Sequence, residues 1–289
     1  MTIYRYDMTI PVRVISALHS GGVDEVPERP IIDEDGRTVQ PNAFVRNGLG
    51  EAILPGRSIK GAIRAAFEEH MDELGFSEED LKSLWGGEMR QDVGTGKESL
   101  PLRASALTFH HAVVWDRASG DLPHRMSTAI NRATGGAADG ALFAYEYLPV
   151  DTTFEIHISA EALDPAPDST KNKKVQSTTQ REETKGTPPA PPTLVEKALQ
   201  AIVTLLDGKF ISLGGRTGSG WGAIDLRWKK VSCEKVAILS EQAGNNESTD
   251  FLSVVFSQSK PLKLKPDSKL TGKRSSTSIE IEWHAPSGL

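Results

Sequence analysis

The sequence predicts an α+β protein built on an antiparallel sheet, with long excursions between its elements. Three observations lead there. Several stretches alternate apolar and polar residues at period two, two segments are amphipathic at period 3.6 with helix start or stop signals, and their order is strand, helix, strands, helix, strand.

The stretch YRYDMTIPVRVISALHS (4–20) mixes β-branched and aromatic residues in partial alternation and is expected to be the first strand. A polar loop rich in Gly, Pro, Asn and acids follows, and loops of that length in compact domains tend to be functional or disordered. In RSIKGAIRAAFEEHMDELG (57–75), Ile59, Ala62, Ile63, Ala66, Phe67, Met71 and Leu74 share one helical face, and Gly75 supplies the stop. Gly61 costs this helix about 1 kcal/mol relative to alanine. Ser77 and Asp80 form a capping box that opens a short second helix. RASALTFHHAVVWD (103–116) and GALFAYEYLPVDTTFEIHISAE (140–161) are strand-like, the second interrupted at Pro149. Residues 164–192 hold hardly an apolar side chain and are expected to be a disordered insertion. TLVEKALQAIVTLLDG (193–208) begins with a second capping box, Thr193 and Glu196, and forms the last helix. KFISL (209–213), a glycine-rich loop and AIDLRW (223–228) follow as strand, loop and strand. The tail from Val231 carries two further strand-like pieces, FLSVVFS and SIEIEWH. This order suggests a sheet of the ferredoxin or RNA-recognition-motif kind over residues 1–230, with 231–289 as a C-terminal extension.

Composition narrows the function classes. A single cysteine, Cys233, excludes a disulfide framework and any multi-cysteine zinc site, and points to a reducing cytoplasm. No apolar run approaches the roughly 18 residues of a membrane span, so a soluble chain with no membrane partner is expected. A net charge of −6 argues against an indiscriminate nucleic-acid coat, so any polyanion site must be local.

Two features suggest such a site. SLGGRTGSGWGAIDL (212–226) concentrates five glycines and one arginine. It lacks the Gly-Lys-Ser/Thr ending of a nucleotide P-loop, does not fit G-x-G-x-x-G, and leads into a strand rather than a helix. Two readings stay open: a bare hairpin turn, or a loop that lets another backbone approach, with Arg216 and Thr217 as donors. The second feature is the charge order of the first helix. Arg57, Lys60 and Arg64 occupy its first turns while Glu68, Glu69, Asp72 and Glu73 fill its end, against the helix dipole at both ends. An anion bound beside those cations would compensate; the bland alternative is a solvated face with pairs such as Arg64 to Glu68.

Other candidates weigh less. His19 is either an acid–base residue or a hydrogen-bonded turn residue, and His110 and His111, adjoining in a strand, would face opposite sides and make a poor metal pair. No metal site is specified by spacing.

The stretches ILPGRSIKGAIRAAFE, SLWGG, INRATGGAADGALFAYEYLPVDTTFEIHI and LGGRTGSGWGAIDL, in this order, resemble the RAMP superfamily of CRISPR RNA-binding proteins. The third stretch, with its Asn-Arg and Thr-Gly-Gly-Ala pattern, resembles most narrowly the backbone subunit of type III (Csm/Cmr-type) effector complexes. The resemblance implies a ferredoxin-like palm with a thumb hairpin that intercalates into the guide–target duplex, and copies stacked head to tail along a CRISPR RNA beside other RAMP-type subunits. It implies that Arg57, Ser58, Lys60 and Arg64 meet guide phosphates, that RNA lies against Gly215, Arg216, Thr217, Gly218 and Gly220, and that Arg125 and Arg132 belong to the thumb. In many members a loop aspartate assists Mg2+-dependent cleavage of target RNA. Asp24 is the closest positional match, with Asp33 and Asp35 further into a longer loop than usual. The competing expectations are a non-cleaving subunit of the same assembly, or a metal-independent endonuclease that processes CRISPR precursor RNA.

Overall fold

The computed structural model describes residues 2–21, 31–32, 36, 38–39, 41–86, 104–164, 190–240, 254–256 and 260–267. In chain order these form β1 (Thr2–Val14), β2 (Ile31–Ile32), β3 (Thr38–Val39), β4 (Pro41–Asn42), β5 (Ala52–Leu54), α1 (Gly56–Glu69), α2 (Met71–Leu74) and α3 (Glu78–Trp85). Then come β6 (Leu107–Phe109), β7 (Ala112–Trp115), β8 (His124–Ile130), β9 (Ala137–Glu146), β10 (Thr153–Asp164) and α4 (Pro192–Asp207). The described chain closes with β11 (Ile224–Leu226), β12 (Ser232–Ser240), β13 (Val254–Phe256) and β14 (Lys260–Pro261).

Strand β1 is the axis of the main sheet. One edge pairs antiparallel with β10 along nearly its whole length, and β6 follows beyond β10. Its other edge is shared: β11 pairs with Val12–Val14 and β12 with Thr2–Thr9. The inward residues of β1, Tyr6, Met8, Ile10 and Val12, alternate with outward Asp7, Thr9 and Pro11, as period two requires. Helices α1 and α4 cover the inward face with Ile59, Ile63 and Phe67 from one and Leu199, Ile202 and Leu205 from the other, all fully buried. Each such side chain contributes roughly 1.5–3 kcal/mol by leaving water, which sets the two helices firmly on the sheet. No described helix is long and apolar enough to cross a membrane.

Several expectations are corrected. Helix 57–75 is interrupted at His70, so α1 ends at Glu69 and α2 runs on to the stop at Gly75, which adopts φ 71°. The Ser77–Asp80 capping box is present. The Thr193–Glu196 box is not: α4 starts at Pro192, and the Glu196 carboxylate instead accepts from Tyr6 Oη at 3.0 Å and Lys235 Nζ at 2.8 Å. Strand 103–116 breaks into β6 and β7, leaving His110 and His111 between them; His110 Nε2 bonds Ser159 Oγ and His111 Nδ1 accepts from the Gly56 N–H. KFISL forms no regular strand: Ser212 and Ala223 make an isolated bridge, and the Leu213 N–H donates to Gly222 O at 2.9 Å.

Residues 165–189, most of the expected insertion, lie outside the described residues, as does SIEIEWH; Asp164 closes β10, and Ala190 is buried. The C-terminal segment joins the main sheet through β12, and Leu262 and Leu264 pack against the core.

Candidate nucleic-acid interface

The fold brings the two sequence features together. An open cleft of about 500 Å³ is lined by Ser58, Gly61 and Ala62 of α1, by Ser212, Gly214, Gly215 and Thr217 of the glycine loop, and by Ser20 and Gly21 after β1. Among the described residues the lining is small, hydroxylic or bare backbone, with no acidic side chain. A second cleft of about 480 Å³ between α3 and α4 carries Glu79 and Asp80 instead and suits a polyanion poorly.

The glycines differ in what they do. Gly214 and Gly222 have φ near +80°, and a Cβ on them would come within 2.2 and 2.0 Å of the carbonyl oxygens of His19 and Leu213. Gly214 lets the loop press against the chain after β1 and Gly222 lets its two arms close on each other, with the Gly215 N–H donating to His19 O at 2.7 Å and the Gly222 N–H to Ala17 O at 2.8 Å. At Gly218 and Gly220 a Cβ would meet nothing within 4 Å, although Gly220 has φ +80°. The tip, Thr217–Ser219, is a single 3-10 turn and exposed. The loop is therefore a packed scaffold at its base and open backbone at its tip.

Arg57 is exposed at the start of α1. Lys60 and Arg64 lie on the flank of α1 away from the residues that line the cleft. Lys60 Nζ reaches Trp85 O at 3.5 Å, and its pKa is lowered by burial and then by the neighbouring Arg64. Arg64 Nε donates to Glu68 Oε1 at 2.7 Å, the intrahelical pair that the bland reading anticipated. Pro55 caps α1 without a side-chain bond, and the first turn of the helix holds no acid of its own.

His19 is 5% exposed. Its Nδ1 bonds to Glu146 O at 2.7 Å, and since a carbonyl only accepts, Nδ1 carries the proton. Burial pushes its pKa below the ordinary value, leaving a neutral ring packed edge-on to Tyr145 and Phe44. Glu146 itself is buried; its carboxylate accepts from Arg46 Nη2 at 3.0 Å and from the Phe44 N–H at 2.8 Å. This pair ties the segment that returns from the long polar loop to β9. Neither Glu146 nor Arg46 stands out in the sequence, because their pairing spans a hundred residues.

Strands β8 and β9 form a hairpin closed by a turn at Asn131–Gly136, where Asn131 Oδ1 accepts from the Ala133 N–H. Nearly all of β8 is exposed, including Met126 and Ile130, and Arg125 and Arg132 are exposed with it. At the hairpin base, Arg216 lies 4.6 Å from the Tyr145 ring centroid.

Asp24, Asp33 and Asp35 lie outside the described residues. Among the described residues no group of three or more His, Cys, Asp or Glu is placed to hold a metal ion.

No curated protein matches the chain. Among solved structures, a chain of the cryo-EM structure of the type III-B Cmr-beta bound to cognate target RNA is similar at 14% identity with a TM-score of 0.47, covering 76% of this chain and 96% of that one. The family model described as RAMPs, RAMP superfamily, matches residues 12–225. That span runs from the last three residues of β1 through both packed helices, the hairpin and the glycine loop into β11, and the chain belongs to the RAMP superfamily.

Proposed function

We propose that the chain is a guide-RNA-binding backbone subunit of a type III CRISPR interference complex, holding guide and target RNA along a ferredoxin-like palm. The carrying observation is the cleft in which the glycine loop faces Ser58, Gly61 and Ala62 of α1. Two sequence-distant stretches leave their facing surfaces bare at the same place. The ferredoxin-like reading rests on the order β1, α1, β6, β10, α4, β11 and on the spatial order β11-β1-β10-β6 with every pair antiparallel. The projecting hairpin β8–β9, with exposed Met126, Ile130 and Leu142, suits a thumb that inserts apolar side chains between bases. In this reading Arg57 and the exposed loop tip would make phosphate and backbone contacts, and Lys60 and Arg64 would meet RNA running across the flank of α1. In this reading copies stack along one guide beside other RAMP-type subunits, in the cytoplasm.

Cleavage of target RNA through Asp24 is part of the proposal. The described residues supply no ion site on their own. In this reading Mg2+ would be held by Asp24 together with RNA phosphate oxygens and water, and would supply charge stabilisation at the reacting phosphate.

The test is to purify the protein from its native host and sequence the RNA that comes with it. Short RNAs joining CRISPR repeat to spacer sequence are expected. Absence of RNA, or a random sample of cellular transcripts, overturns the proposal.

A further inference from the structure

Arg216 is an odd residue for its position. Its backbone is left-handed, with φ 61° and ψ 24°, in a loop whose other left-handed positions, 214, 220 and 222, are all glycine. Its Nε is buried with no hydrogen-bond partner. Both features are unfavourable for an arginine, so something specific to the side chain offsets them.

The aromatic contacts do. The guanidinium lies 4.6 Å from the ring centroid of Tyr145 and 5.7 Å from those of Phe143 and Trp221. Phe143 and Tyr145 belong to β9, two residues apart and so on one face of the hairpin. Arg125, which stands opposite Tyr145 in the β8–β9 register, lies 5.9 Å from the ring of Trp221. The arrangement is reciprocal: a cation from the loop sits on rings of the hairpin, and a cation from the hairpin sits on the ring of the loop. Besides this junction, the hairpin is tied to the rest of the protein at its base, by the two-residue parallel contact of β4 with β9 and by Glu146, whose carboxylate accepts from Arg46 and the Phe44 N–H and whose carbonyl accepts from His19 Nδ1.

We propose that Arg216 is a positioning residue that clamps the base of the β8–β9 hairpin to the glycine loop, so that hairpin and cleft present one rigid surface to RNA. The RNA part rests on the function proposed above; the clamp itself does not. A guanidinium stacks as a planar group on aromatic faces in a way that an ammonium does not. Charge at the site and stacking at the site are therefore separable.

Full-length Arg216→Lys and Arg216→Gly are the variants. Lysine keeps the charge, and glycine suits the left-handed backbone, so a loop with no clamp should tolerate the glycine. Hydrogen exchange of the β8 and β9 amides is expected to speed up about tenfold in both, with the melting temperature near wild type. Affinity for a labelled single-stranded RNA is expected to fall about tenfold in both, with an unchanged dependence on salt. Unchanged hairpin exchange in both variants overturns the clamp. So does a result in which glycine loses one phosphate's worth of salt dependence and lysine restores wild-type affinity, since that assigns Arg216 to a phosphate. If wild type fails to bind RNA, the function proposed above fails while the exchange measurement still decides the clamp.

Discussion

Gly214 packs so tightly against His19 that an added Cβ would stand 2.2 Å from the His19 carbonyl oxygen, the same oxygen that accepts from the Gly215 N–H at 2.7 Å. Three substitutions in one loop should therefore behave differently. Gly214→Ala must displace backbone at φ +82° and is expected to cost several kcal/mol, visible as a large drop in melting temperature. Gly220→Ala, at φ +80° in open space, should cost about 1–2 kcal/mol. Gly218→Ala has room and no positive φ, so it should fold as wild type and lose RNA affinity only through contact with RNA. Wild-type RNA binding by the Gly218 variant would make the tip a plain turn.

Gly61 offers a probe in which stability and binding move in opposite directions. It is exposed within α1, lines the cleft, and a Cβ there meets nothing within 4 Å. Gly61→Glu should stabilise the helix by roughly 0.5–1 kcal/mol while placing a negative chain in the cleft and weakening RNA binding at least tenfold. The Lys60→Ala, Arg64→Ala double variant tests the flank: its salt dependence should fall by up to roughly two phosphate contacts. An unchanged slope would return both residues to the pairs with Trp85 and Glu68 seen here.

His19 makes stability pH-dependent with a defined sign. Its folded pKa lies below the ordinary 6.5 because burial disfavours the charged ring. As pH falls through about 6.5 the unfolded chain takes up a proton that the folded chain does not, so the folded state loses stability toward acid by up to about 1.4 kcal/mol per pH unit. Thermal melts from pH 7.5 to 5.5 should show a steeper loss in wild type than in His19→Asn. Parallel curves would mean that His19 does not carry the effect.

The cleavage proposal is the most exposed. In an assembled complex, Asp24→Ala should abolish Mg2+-dependent cutting and leave guide and target binding within a few-fold of wild type. Asp33→Ala and Asp35→Ala should cut almost normally. EDTA should stop cleavage by wild type; cutting of repeat RNA in EDTA would favour a precursor-processing enzyme instead.

Ending the chain after Lys230 tests the tail. It removes β12 from Thr2–Thr9 of β1, together with buried Cys233 and the bond from Lys235 to Glu196. A melting temperature lower by about 10 °C, or aggregation through the bared edge of β1, is expected. A truncated chain as stable as wild type would show β12 to be an appendage.

What the sequence determined by itself is the class and the order of elements, since periodicity is local: β1 alternates at two residues, the face of α1 returns at three and four, and the Ser77–Asp80 box closes within one turn. It also pointed to the glycine loop and the α1 cations, since local composition exposes bare backbone and charge placed against a dipole. Only the tertiary structure decided which face of α1 lines the cleft. Helical spacing grouped Lys60 with Arg64, but Ser58, Gly61 and Ala62 meet the loop, because packing of Ile59 and Ile63 on the sheet sets the rotation of the helix. The same holds for pairs that chain distance hides. Glu196 leaves its expected cap for Tyr6 and Lys235, Glu146 holds Arg46 across a hundred residues, and β12 takes the edge of β1 from the far end of the chain. Each depends on which surfaces the folded core brings within hydrogen-bond reach, and no local window of sequence contains that distance.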